Sequence, residues 1–226
     1  MGIDPVEMMK RALKLDDSFA FRCDQCGDCC RHREDILISP YDLFRIARHL
    51  SVTPESIIDR YFIYYIGNDS NLPLVILKAQ GEDRLCPFLL NNRCSIHSAK
   101  PSVCGLFPLG RMAAVHDGQS SETLYFLQPL ECGKRDQTQT VRQWLKDFGL
   151  DQSDEWFQVW QKYIIMLSKL IKLLVTQVPP NLMSKIFSAI FYAMYLNYNM
   201  AEDFLPQFKN NMQNLVDALR ATIDKS

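Results

Sequence analysis

Eight cysteines are the residues of this 226-residue chain that are best suited to chemistry. Four of them stand within eight positions, in the run Cys23-Asp-Gln-Cys26-Gly-Asp-Cys29-Cys30. A Cys-x-x-Cys loop lets two thiolates converge on one ion, and both zinc proteins and iron–sulfur proteins use it. A single cysteine is often a small buried hydrophobic residue, but four in eight positions fit that explanation poorly. The run therefore predicts metal binding.

The remaining four cysteines lie far along the chain and help to define the kind of site. They are Cys86, Cys94, Cys104 and Cys132. Bacterial ferredoxins also use Cys-x-x-Cys-x-x-Cys, but their next cysteine follows three residues later and precedes a proline. Here the Cys-Pro pair is Cys86-Pro87, far from the first run. The ferredoxin pattern is not met, so the first run must find its partner ligands among the distant cysteines.

The adjacent pair Cys29-Cys30 complicates a single-ion site. Neighbouring side chains of an extended chain point to opposite sides, so the two sulfurs can serve two sites, or one can be a ligand and the other a reactive thiol. Soft thiolates select zinc or iron–sulfur clusters over hard cations. The three-in-a-row spacing and the surplus thiol of Cys30 favour iron–sulfur slightly. By number, eight thiols match two four-cysteine sites.

Other candidate ligands and catalytic groups are weaker. His97 lies three residues after Cys94, a spacing that could bring both to one ion, and its role stays open together with that of Cys30. Glu34-Asp35 and Glu82-Asp83 are typical of solvated loop charges. The sequence contains no Ser-His-Asp, Cys-His or phosphate-binding motif above background, so it predicts no catalytic residue and leaves enzymatic activity open.

These motifs resemble the CxxCxxCC, or YkgJ-type, cysteine-cluster family, which is described as a zinc- or iron-chelating domain. The resemblance spans roughly Phe21 to Trp144 and includes Cys86-Pro-Phe-Leu, Glu-Cys132-Gly and the segment from Cys94-Ser-Ile-His97 through Lys100-Pro101 to Cys104-Gly-Leu-Phe-Pro108. All eight cysteines fall on the family pattern, and the resemblance implies that they bind the metal: Cys23, Cys26, Cys29, Cys30, Cys86, Cys94, Cys104 and Cys132. The family commonly has Tyr at the position of His97, which argues against an essential ligand there.

The resemblance also implies alternative functions. Flagellin lysine methylases share a similar cysteine cluster, which implies a protein-modifying enzyme that uses S-adenosylmethionine. The chain has no glycine-rich strand–turn–helix of the kind that binds such a cofactor in a Rossmann-like fold. We therefore expect a metal-binding protein with a redox or regulatory role, and keep as alternatives a metal-dependent enzyme and an interaction protein with structural zinc.

The elements that position the cysteines can be predicted from caps and periodicity. Ser39-Pro40 and Thr53-Pro54-Glu55 each predict a helix start, the second helix running to about Tyr64. Short strands are predicted at 36–38, 74–78 and 124–127, a helix at 138–148, and three cysteine-free helices at 153–175, 182–195 and 202–222. We expect a mainly α fold with a small β component (α+β). A loop-rich metal-binding domain at 1–150 would precede a helical segment at 151–226 that packs on it.

Composition excludes several partners. A net charge of −1 and 23% charged residues give no basic footprint for nucleic acid. The apolar stretch 156–175 carries lysines and glutamines at helical spacing, and 186–200 is too short to cross a bilayer, so no membrane span is expected. Without a visible secretory signal, clustered cysteines favour a cytoplasmic protein. An unknown protein partner could bind the C-terminal helices, where an aromatic surface is suggested by Tyr192, Tyr195, Tyr198 and Phe204.

Overall fold

The computed structural model describes residues 11–24, 26–32, 34–116, 119–128, 132–150 and 153–224. The chain is 49% helix and 21% strand, and its described strands form four small antiparallel sheets. The expected mainly α fold with a small β component is therefore wrong, and the fold is α+β with a substantial strand content. The strands that were missed include Lys134–Thr140, whose polar sequence lacks the apolar alternation that identifies a half-buried strand.

The chain divides into two compact units, each discontinuous in sequence. The first comprises Met1–Arg33 and Ala79–Gln158, and the second comprises Glu34–Lys78 and Val159–Ser226. All eight cysteines belong to the first unit. The metal-binding domain expected at 1–150 and the helical segment expected at 151–226 remain a prediction.

The first unit contains three two-stranded antiparallel sheets, two short helices and a small core. Strand β1 (Ser18–Arg22) pairs with β9 (Lys134–Thr140), β7 (Leu109–His116) pairs with β8 (Gln119–Leu127), and β5 (Leu89–Leu90) pairs with β6 (Arg93–Cys94). The helices are α3 (Ser102–Leu106) and α4 (Val141–Asp147).

The core of this unit is built around an aromatic cluster on β1 and α4. The rings of Phe19 and Phe21 meet Trp144 edge-on at centroid distances of 5.8 and 5.7 Å. The indole Nε1–H of Trp144 donates to the backbone oxygen of Leu106 at 3.0 Å, so the buried ring leaves no polar atom unpaired. This packing fixes the end of β1, from which the first cysteine follows directly.

The second unit combines a three-stranded sheet with helices. Its strand order is β2 (Leu37–Ile38), β4 (Pro73–Leu77), β3 (Phe62–Ile66). Its helices are α1 (Pro40–Leu50), α2 (Pro54–Tyr61), α6 (Pro180–Phe191), a π-helical turn (Tyr192–Leu196) and α7 (Phe204–Ile223), together with α5 (Ser153–Gln177) from residue 159 onward. The expected helix through Tyr64 is wrong in its last turn, because the chain becomes strand β3 after Tyr61. Among the described residues, no helix has the length and apolar character needed to cross a membrane.

Candidate metal centre

The first cysteine run leaves β1 and turns sharply. Gly27 has a φ of 79° and precedes a short 3₁₀ turn, Asp28–Cys30. The N–H of Cys30 donates to the oxygen of Gly27 at 3.0 Å. A side chain at residue 27 would strain this left-handed backbone, so glycine lets Cys26 and the Cys29-Cys30 pair follow one another around a tight bend.

The second segment is attached to the first by a backbone hydrogen bond between two cysteines. The N–H of Cys86 donates to the oxygen of Cys30 at 2.9 Å. The β5–β6 hairpin then reverses the chain and places Cys94 opposite Leu89, whose own N–H donates to the oxygen of Cys86 at 3.0 Å. Cys104 lies on the short helix α3, where its N–H donates to Pro101.

Strand pairing brings the last cysteine to the first. In the β1–β9 ribbon, Arg22 is paired with Lys134, so Cys23 and Cys132 extend from neighbouring strand ends. Gly133 makes this approach close: its φ is +75°, and a Cβ there would lie 2.3 Å from the ring of Phe21 and 2.9 Å from the oxygen of Arg22. Glycine is therefore required beside Cys132.

The eight thiols form one neighbourhood. The sulfurs of Cys29 and Cys30 are 4.0 Å apart, and side-chain hydrogen bonds join Cys30 to Cys86 and Cys26 to Cys132. Electrostatic interactions link Cys86 to Cys94 and Cys104, and link Cys29 to Cys94 and Cys132. Cys23 interacts with Lys100, which also interacts with Cys29, Cys94 and Cys104. All eight are described, and none forms a disulfide. No three His, Cys, Asp or Glu side chains in the described residues are arranged to hold a metal ion, so the thiols are gathered but do not stand in ligand geometry.

The thiols differ in exposure and in protonation. Cys23, Cys26 and Cys29 are exposed, whereas the other five are partly buried. A hydrogen bond with Cys29 lowers the pKa of Cys30, but a hydrogen bond with Cys86, burial and neighbouring negative charge together raise it to about 11. Burial and the charges of Cys26 and Cys29 raise the pKa of Cys132 to about 11. The hydrogen bond with Cys30 lowers the pKa of Cys86.

Lys100 is a component of the site that the sequence did not single out. Burial lowers the pKa of its ammonium group, while the negative charges of Cys104, Cys94, Cys23 and Cys29 oppose that shift. Its Nζ lies 3.9 Å from the centroid of the Phe148 ring, a cation–π contact that holds it in place. The signal in the sequence is that Lys100-Pro101 lies between two cysteines of the motif, Cys94 and Cys104.

Three arginines and His97 lie near the cysteines in the sequence, and the contacts of two of these arginines are with residues other than cysteine. The guanidinium of Arg31 donates to the side-chain oxygen of Asn92 at 2.6 Å, and Arg111 stacks over Phe157 at 3.9 Å. Arg33 lies outside the described residues. His97 is exposed, and partial burial together with the positive charge of Lys100 lowers the pKa of its imidazole.

The comparisons with known proteins identify one family. A model of the CxxCxxCC domain, a proposed zinc- or iron-chelating domain, matches residues 22–139. This segment is just over half of the 226-residue chain and contains all eight cysteines. No curated protein and no solved structure matches the chain.

Proposed function

This chain belongs to the CxxCxxCC family of proposed zinc- or iron-chelating domains, and on that premise we propose that its eight cysteines hold an iron–sulfur cluster or zinc. The observation that carries the proposal is the gathering of all eight thiols, from the first run and four distant positions, into one neighbourhood of the first unit. Thiolates are the donors that zinc and iron–sulfur clusters prefer. Eight of them without a disulfide fit such a group.

The neighbourhood supports two sites of four ligands. Cys30, Cys86, Cys94 and Cys104 are partly buried, and Cys86 interacts with each of the other three; we call them the inner group. The outer group comprises Cys23, Cys26, Cys29 and Cys132, of which the first three are exposed. Cys132 interacts with Cys26 and Cys29. The adjacent residues Cys29 and Cys30 thus contribute to different groups.

The surroundings suit a negatively charged centre. Four thiolates around a divalent ion leave a net negative charge, and Lys100 places a positive charge near members of both groups. An iron–sulfur cluster is preferred over zinc for the outer group, because the first run supplies three of its four cysteines at Cys-x-x-Cys-x-x-Cys spacing. When bound, such a cluster supplies electron transfer or structural support, and the exposed outer group would be open to exchange with a redox partner.

Metal content tests the proposal directly. The protein is purified without oxygen, its visible spectrum is recorded, and iron, zinc and acid-labile sulfide are quantified. Broad visible absorption with stoichiometric iron and sulfide is the expected result. If the protein is colourless and holds stoichiometric zinc, the bound group is zinc and not an iron–sulfur cluster. A protein that retains neither metal would refute the proposal.

Single substitutions test the grouping. Cys30→Ala should remove the metal of the inner group, and Cys132→Ala that of the outer group, so each variant should keep about half of the bound metal. His97→Ala is the matched control and should keep all of it, because His97 is exposed and is not assigned as a ligand. Complete loss of metal in both cysteine variants would instead indicate one polynuclear centre.

A further inference from the structure

The second unit, which has no cysteine, contains an apolar strand edge. Among the described residues β3 pairs with β4 alone, and four successive side chains of β3 are largely exposed: Ile63 46%, Tyr64 58%, Tyr65 44% and Ile66 41%. Proteins usually protect such an edge from pairing with a charged residue, a proline or a bulge. The sequence Phe-Ile-Tyr-Tyr-Ile contains none of these, and the β3–β4 register is regular.

The hydrogen-bond pattern shows which backbone groups face the open edge. The N–H of Lys78 donates to the oxygen of Tyr61 at 2.8 Å. Residues of an antiparallel pair alternate between bonded and non-bonded positions, so the odd-numbered residues of β3 bond to β4. The N–H and C=O groups of Tyr64 and Ile66 therefore point away from the sheet, toward the position that another strand would occupy.

An apolar groove lies beside these two residues. It has a volume of about 840 Å³ and is lined by Tyr64 and Ile66 from β3 and by Met183, Phe187 and Phe191 from α6, among others. The ring centroids of Tyr64 and Phe191 are 4.9 Å apart. A strand added to the edge would direct every second side chain toward this groove, since alternate residues face the same side.

The two helices that contribute to the groove carry positive charge. No acidic residue occurs between Glu155 and Glu202, and the same stretch contains four lysines. Lys172 and Lys185 are exposed and stand one helical turn or less from the groove-lining residues Val175 and Ser184. A negatively charged partner is favoured by this arrangement, whereas a second copy of the chain would bring like charges together.

We propose that the β3 edge and its groove bind an extended, acidic-flanked apolar segment of a protein partner. The segment adds as a strand, its backbone pairing with Tyr64 and Ile66 and its alternate apolar side chains entering the groove. Main-chain hydrogen bonds supply the affinity and the groove supplies the selectivity, as in other cases of strand addition. Acidic residues at the ends of the segment face the lysines of α5 and α6.

A displayed library of random dodecapeptides, selected on the full-length protein, tests the proposal. Enriched peptides should alternate apolar residues with period two and carry Asp or Glu at their ends. The best peptide, synthesised with a fluorescent label, should bind about tenfold more weakly to Ile66→Lys, because the new charge blocks the groove and repels a strand from the edge. Its affinity should also fall with added salt.

The control is Val52→Lys, which places the same charge at a 37% exposed apolar residue that does not line the groove and lies outside α5 and α6. It should bind the peptide like the unmodified protein, and circular dichroism should show all proteins folded alike. The proposal is overturned if enriched peptides show helical periodicity, if none is enriched, or if Ile66→Lys binds normally. It is also overturned if light scattering shows a dimer that Ile66→Lys dissociates, or if the same variant abolishes binding to phosphatidylcholine–phosphatidylglycerol vesicles.

Discussion

At the residue scale, glycines at two turns have very different surroundings. Gly133 and Gly81 both have positive φ values, +75° and +70°, yet a Cβ at residue 133 would overlap Phe21 and the Arg22 backbone, whereas one at residue 81 would meet nothing within 4 Å. The left-handed backbone strains any other residue at either position. Only at Gly133 does packing add to this strain, and there it also positions Cys132.

We predict that Gly133→Ala lowers the free energy of unfolding by about 2–4 kcal/mol, from backbone strain together with overpacking. It should also reduce the metal held by the outer group, because the β1 and β9 ends must separate. Gly81→Ala is the control and should cost only about 1 kcal/mol, with metal content unchanged. Urea unfolding and metal analysis measure both effects, and equal losses in the two variants would contradict this account of Gly133.

At the element scale, two helix starts look alike in sequence but differ in structure. The Ser39-Pro40 start of α1 forms a complete capping box: the N–H of Asp42 donates to the hydroxyl of Ser39 at 3.1 Å, and the N–H of Ser39 donates to the carboxylate of Asp42 at 3.2 Å. The Thr53-Pro54 start of α2 has no side-chain cap hydrogen bond. Helix starts could be predicted because they depend on adjacent residues, although the quality of each cap could not.

We predict that Ser39→Ala lowers the free energy of unfolding by about 1–2 kcal/mol, since it removes the hydroxyl that accepts from the buried N–H of Asp42 and donates to the Asp42 carboxylate. Thr53→Ala should cost less than about 0.5 kcal/mol, because the threonine hydroxyl makes no cap bond that could be lost. The midpoints of urea unfolding measure the difference, provided that the dependence of the unfolding free energy on urea concentration is the same in both variants. Similar losses in both variants would show that the capping box contributes nothing beyond helix propensity.

Elements that form only by pairing with a distant part of the chain could not be predicted from the sequence. Strand β9 reads Lys-Arg-Asp-Gln-Thr-Gln-Thr and is a strand because it pairs with β1, more than a hundred residues earlier. The same limit applies to the site: spacing identified the cysteines as metal-ligand candidates, but it could not show that Cys86 pairs through its backbone with Cys30. Nor could it place Lys100 among the thiols, because that neighbourhood arises from packing rather than from local pattern.

At the scale of the whole molecule, the two units should respond differently to loss of metal. The first unit keeps a buried cluster around Phe19, Phe21 and Trp144, but its cysteine segments have few buried apolar side chains besides Phe88 and Ile96. Such loops depend on bound metal for their order. The second unit has no cysteine and a core of its own, including Leu43, Phe44 and Phe208.

We predict that a chelator raises amide hydrogen exchange in residues 23–30 and 86–104 while exchange in α1 and α7 changes little. Acid should act like the chelator. Cys30 and Cys132 have pKa values of about 11, so the metal-free thiols bind protons at neutral pH, and metal affinity falls as pH decreases from 8 to 6. Hydrogen exchange measured by mass spectrometry at both pH values, with metal content followed in parallel, distinguishes the outcomes. Uniform loss of protection in both units would show that metal stabilises the whole chain as one cooperative structure.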